Sequence, residues 1–143
     1  MALSFVIIMV YYVVMILINS FLVKKSIISQ SGFHPISSFI HTIVLPKTSY
    51  PTTAFALSNY IFVQFWYRDE KEHSIKVTIN NQNRSDEQEA ASYGLPPQDK
   101  SEHVYQETFV IPRIMVSEPQ TVWICTYCDG NKVQDYPIEF IYR

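Results

Sequence analysis

The hydrophobic pattern of the chain opens with one long unbroken run. Ala2 to Val23, ALSFVIIMVYYVVMILINSFLV, holds 22 residues with no charge, no glycine and no proline, and Lys24-Lys25 close it. At 1.5 Å per residue a helix of that length crosses a hydrocarbon core of about 30 Å. The run therefore predicts a single N-terminal transmembrane helix, with residues 1–25 as the anchor. Tyr11 and Tyr12 fall mid-span, where a hydroxyl meets no water, and so mark a helix face packed against another protein. A cleaved export signal fits less well. No basic residue precedes the run, and 22 residues exceed the usual apolar core of such a signal. A buried helix of a soluble fold would carry a polar stripe, and none is present. Lys24 and Lys25 follow the span, so the positive-inside rule favours a cytoplasmic carboxyl-terminal domain in a single-pass membrane protein.

Beyond the lead the period changes to two. Residues 26–38, SIISQSGFHPISS, read as a juxtamembrane linker, and residues 39–143 as one domain. Phe39–Pro46 predicts a first strand, stopped by its proline. Asn59–Arg68, NYIFVQFWYR, alternates Ile61, Val63, Phe65 and Tyr67 with the mixed set Phe62, Gln64, Trp66 and Arg68. After the acidic loop Asp69–Glu72, His73–Asn80 alternates Ile75, Val77 and Ile79 with Ser74, Lys76 and Thr78. Together these two predict a β-hairpin. Asn81–Glu102 is a polar insert read as a solvated loop, with Tyr93 and Leu95 as its apolar anchors should it touch a partner. Strands resume at His103–Pro112 and Arg113–Val116.

The last segment, Thr121–Arg143, carries Asp129-Gly130 between two β-rich runs, the preferred dipeptide of a two-residue type I′ turn. That turn pairs Cys128 with Asn131, Cys125 with Gln134 and Trp123 with Tyr136. It gathers Trp123, Cys125, Tyr136, Ile138, Phe140 and Tyr142 on a core face and leaves Val122 and Ile124 on the other. Pro137, lacking an N–H, marks an edge. About seven strands without a helix point to an all-β, antiparallel, immunoglobulin-like β-sandwich. The Cys–Trp–Cys spacing of true immunoglobulin domains is missing, so the likeness is one of architecture, which carries no function.

Composition narrows the function. Residues 26–143 hold all 13 acids against nine of the 11 basic residues, a balance unsuited to nucleic acid. Ten Tyr, nine Phe and only three Gly favour strands over glycine-rich phosphate loops. Cys125 and Cys128 form a C-x-x-C, but no second pair or histidine cluster completes a metal site, and no βαβ unit surrounds it. They stand as the only metal candidates in the sequence, with packing as buried or turn-proximal thiols the plainer reading. His34, His41, His73 and His103 show no ligand spacing, and Asn83-Arg84-Ser85 is a formal glycosylation acceptor. No catalytic constellation, cofactor motif or small-molecule site is evident.

The resulting expectation is a membrane-anchored, non-catalytic interaction or structural subunit of a larger assembly. Its partners are other subunits or further copies of itself, contacted through Phe62, Trp66, Tyr93, Leu95, Val122 and Ile124. A pilin-like filament or surface subunit is the alternative, and a metal or redox carrier built on the C-x-x-C comes third.

Overall fold

Phe62, Gln64, Trp66 and Arg68 share one face of their strand, and this half-polar row is the one turned inward. All four are buried in the computed structural model, which describes residues 16–24, 41–45, 53–55, 60–80, 87–111, 114–116 and 118–143. Those residues form ten strands and no helix: β1 (Ile16–Lys24), β2 (Thr42–Leu45), β3 (Thr53–Phe55), β4 (Tyr60–Tyr67), β5 (His73–Asn80), β6 (Glu87–Leu95), β7 (Val104–Val110), β8 (Ile114–Val116), β9 (Gln120–Cys128) and β10 (Asn131–Tyr142). One sheet has the order β1-β4-β7, a second the order β2-β10-β9-β5-β6, and β3 pairs with β8. All pairings are antiparallel except β2 with β10. The two larger sheets make a β-sandwich whose core is Leu22, Phe62 and Trp66 from one side and Ile75, Val77, Val122, Ile124, Ile138 and Phe140 from the other. Each such side chain contributes roughly 1.5–3 kcal/mol by leaving water.

A polar network ties the layers together at the level of Gln64. Its Nε2 donates to Thr126 Oγ1 on β9 at 2.8 Å and to Ser20 Oγ on β1 at 3.3 Å. Its Oε1 accepts from the Tyr93 hydroxyl on β6 at 2.7 Å, and that hydroxyl accepts from Trp66 Nε1 at 2.8 Å. Every amide hydrogen-bonding direction that the site offers Gln64 is thus used, which is the condition for burying an amide at low cost. A second cross-layer bond runs from the Leu22 amide to the Tyr136 hydroxyl at 3.3 Å. Arg68, at the end of the row, donates to the carbonyls of Glu102 (2.6 Å) and Pro97 (3.4 Å).

Several expectations change. Ile16–Lys24 is a strand, not the end of a helix: it pairs with β4 from Ile16 opposite Tyr67 to Lys24 opposite Tyr60. An Ile/Leu/Phe/Val run serves either element, and the open edge of β4 satisfies its backbone groups as well as a helix would. The predicted helix therefore fails over Ile16–Val23; the rest of the lead, with Tyr11 and Tyr12, and the linker 26–38 lie outside the described residues. The predicted hairpin of Asn59–Arg68 with His73–Asn80 is absent, because β4 and β5 belong to different sheets and residues 68–72 carry the chain between them. Within the insert, Glu87–Leu95 is strand β6, paired with β5 from His73 opposite Leu95. As the last strand of its sheet it needs apolar residues on one face only, which a polar sequence can supply.

The Asp129-Gly130 turn forms as expected, with φ of 48° and 83°, both positive as type I′ requires. An irregularity between Lys132 and Gln134 then shifts the register by one, so Cys125 faces Asp135 and Pro137 faces Trp123. One extra residue flips the strand face. Val122, Ile124 and Thr126 consequently point inward with Tyr136, Ile138 and Phe140, and Val133 is exposed.

Because Gln64 joins four strands, Gln64→Ala leaves three hydroxyl partners short and opens a cavity. It is expected to cost about 3 kcal/mol, whereas Thr126→Val, which keeps volume and loses one bond, costs about 1 kcal/mol. Urea unfolding of both variants checks this: the midpoints should fall in that order at an unchanged slope.

Candidate functional site

Titratable side chains converge at one end of the sandwich, where the β9–β10 turn meets the start of β5. The turn needs a residue that tolerates positive φ, and Asp129 fills that position. Its amide donates to the Ser74 carbonyl at 2.9 Å, and the Ser74 amide donates to Asp129 Oδ1 at 2.9 Å, so the turn is stitched to β5. Asp129 Oδ2 is then 2.6 Å from His73 Nδ1. On the other side of the ring, Asp69 Oδ1 lies 2.8 Å from Nε2 and also accepts from the Lys71 amide at 2.8 Å. Cys128, opposite Ile75 in the β5–β9 register, points its Sγ at Asp129 Oδ2 from 3.8 Å. The donor atoms of His73, Cys128 and Asp129 all lie within 4.8 Å of one another.

The electrostatics follow from this packing. Partial burial pulls the His73 pKa down, but hydrogen bonds to Asp129 and Asp69 and their charges outweigh it, and the net shift is upward. Asp129 is lowered, first by its hydrogen bond to His73 and then by the Ser74 amide. For Asp69, burial raises the pKa, yet the Lys71 amide and His73 together bring it below the ordinary value. Burial, reinforced by the Asp129 charge, pushes the Cys128 thiol up to about 11. A thiol shifted in that direction is the opposite of an activated nucleophile. With both ring nitrogens held by carboxylates, His73 is clamped between two acidic side chains, an arrangement that favours its protonated form.

The other residues singled out from sequence go elsewhere. Cys125 is buried on the opposite side of β9 and accepts from Asn80 Nδ2 at 3.3 Å; both cysteines are free thiols. Phe62, Trp66, Leu95, Val122 and Ile124 are buried in the core, and Tyr93 is half-buried in the Gln64 network, so these six support the interior and do not form a contact surface. His41 stacks on Tyr136 and His103 on Tyr67, and neither ring touches the cluster's carboxylates or thiol. Sequence reading passed over His73 and Asp129. The Asp69/His73 spacing of four was legible, but the β5–β9 pairing that delivers Cys128 and Asp129 was not. A scan against protein-family models gives no match, and a search of curated proteins gives none either.

The raised His73 pKa gives a contribution fully present below the unfolded value of 6.5 and lost as pH rises through the folded one. The lowered Asp69 and Asp129 give a contribution present above 3.8 and lost as pH falls through their folded values. Stability from the cluster therefore peaks between those limits. Thermal unfolding across pH should show wild type losing stability on the alkaline side relative to His73→Gln. The difference should stay within about 1 kcal/mol, since Asp129 is half exposed.

Proposed function

We propose that the chain is a non-catalytic, immunoglobulin-like sandwich that works by protein contact as part of a larger assembly. The strand order supports the architecture. With β4, β5, β6, β7, β9 and β10 taken as B, C, C′, E, F and G, the sheets read A-B-E and G-F-C-C′, and β2 joins G in parallel. The Gln64–Thr126 bond then bridges B and F, the two strands that a disulfide links in antibody domains.

The observation that carries the contact reading is the outer face of the β1-β4-β7 sheet. Val104 and Val110 on β7 are 48% and 49% exposed, and they stand opposite Tyr67 and Ile61 on β4. Half-buried Ile61, Phe65 and Tyr67 extend the surface across β4, around the buried Val63 and Phe21. On β7 the two valines flank the exposed Gln106 and Thr108, and apolar side chains left exposed at a sheet edge are a usual mark of a protein contact.

The membrane association expected from the apolar lead stays part of this proposal, without a helix through Ile16–Val23, which belongs to β1.

Two measurements test this reading. Alkaline carbonate extraction tests the membrane association: the full chain should stay with the pellet, and release into the supernatant would overturn that part of the reading. In native extracts the chain should sediment as more than a monomer. Val104→Lys with Val110→Lys should return it to a monomer with its unfolding midpoint moved by no more than about 0.5 kcal/mol. A wild-type monomer in extract would overturn the contact reading.

A further inference from the structure

We propose that His73 Nδ1, Cys128 Sγ and Asp129 Oδ2 form a binding site for a zinc-class divalent transition ion, with Asp69 as the positioning residue behind the histidine. The site does not depend on the β7 contact face.

The donor set selects the ion class. One imidazole nitrogen, one thiolate sulfur and one carboxylate oxygen suit zinc, which takes all three atom types, and they exclude calcium or magnesium, which take oxygen alone. In a tetrahedral zinc site, bond lengths near 2.0–2.3 Å put nitrogen and oxygen about 3.3 Å apart and sulfur and oxygen about 3.6 Å apart. The observed Sγ to Oδ2 separation is 3.8 Å, already at that spacing. Nδ1 and Oδ2 are 2.6 Å apart because they share a proton; loading needs them to part by about 0.7 Å. Asp129, half exposed at the turn, has room for that movement while its Oδ1 stays on the Ser74 amide. The ion replaces the shared proton and that of the Cys128 thiol.

Independent support comes from the far side of the ring. His73 Nε2 faces Asp69 Oδ1 at 2.8 Å, and that carboxylate is fixed in turn by the Lys71 amide. A carboxylate on the outer nitrogen fixes the tautomer that leaves Nδ1 as the ligand, and it is the arrangement found behind metal-bound histidines. The scaffold is also stiff: Cys128 is 5% exposed on a strand paired on both sides, and the backbone of Asp129 is tied to β5 through its amide. Three protein ligands leave the fourth position to water or to a donor from outside the chain.

Cobalt(II) titration of the purified, reduced full chain tests the site, because a thiolate ligand gives a near-ultraviolet charge-transfer band and a tetrahedral site gives intense visible bands. Wild type should bind one equivalent with both signatures, and zinc should displace it. Cys125→Ser should behave as wild type. Cys128→Ser should lose the charge-transfer band, and His73→Gln should bind at least tenfold more weakly. Asp69→Asn should keep the band and weaken zinc about 10- to 100-fold, the effect of removing an outer partner. Unfolding transitions of each variant separate lost binding from lost fold, and His73→Gln decides the matter should Cys128→Ser not fold. Absence of the band in wild type overturns the proposal, as does binding that His73→Gln and Cys128→Ser leave unchanged.

Discussion

The buried amide of Gln64 constrains the fold more than any apolar contact does. An unsatisfied amide in a core costs several kcal/mol, while each hydrogen bond it makes returns only about 1 kcal/mol net. The asymmetry means that the network acts less by adding stability than by penalising every other arrangement. Turn β4 over, and Gln64 meets solvent while Thr126 and Ser20 keep hydroxyls buried without it. Slide β9 by one residue, and Thr126 moves to the wrong face. Hydrophobic burial is indifferent to such choices in a strand whose two faces are both rich in aromatics. The amide is not.

That constraint accounts for the face of β4 being the reverse of the one its composition suggests. Ile61, Val63, Phe65 and Tyr67 are the more uniformly apolar row, yet Phe62, Gln64, Trp66 and Arg68 face inward. Trp66 gains a partner for its indole N–H in Tyr93, and Arg68 finds two backbone carbonyls beside the Tyr105 ring at the sandwich end. The Gln64 amide, Trp66 Nε1 and the two terminal nitrogens of Arg68 are matched by partners from other segments, while Arg68 Nε is buried without one. The apolar row is displaced outward, and this is how a small sandwich comes to present Ile61 and Tyr67 beside Val104 and Val110.

Local signals were legible in the sequence, and partners were not. Strands β4, β5, β7 and β9 could be read from alternation, and the Asp129-Gly130 turn from its dipeptide, because both depend on residues adjacent in sequence. The end of the apolar lead misled: length and lack of charge describe a spanning helix and a buried strand equally, and only the edge of β4 decides between them. The polar β6 was hidden because an end strand beside β5 needs few apolar residues. The irregularity after Lys132 has no signature in composition, yet it turned Val122 and Ile124 inward with Tyr136, while Cys125 stays buried on the other face of β9. For the site, Asp69 and His73 were within one local window. Cys128 and Asp129 arrive from 55 and 56 positions away, through a strand pairing that no spacing rule reports.

The geometry of the site and the network share one element, the β5–β9 pairing. Ile75 opposite Cys128 and Val77 opposite Thr126 belong to the same ladder, two residues apart along each strand. The register that brings Thr126 under Gln64 is therefore the register that brings Cys128 beside His73. A shift of that ladder would break the buried network and scatter the donor atoms together, so the site inherits its precision from the core at no separate cost. The turn adds only the carboxylate, and the β4–β5 crossing adds only Asp69. Rigid strands thus hold the thiol and the ring, while the half-exposed Asp129 is the one member with freedom to move. That division suits a ligand set that exchanges two protons for an ion without disturbing the sandwich.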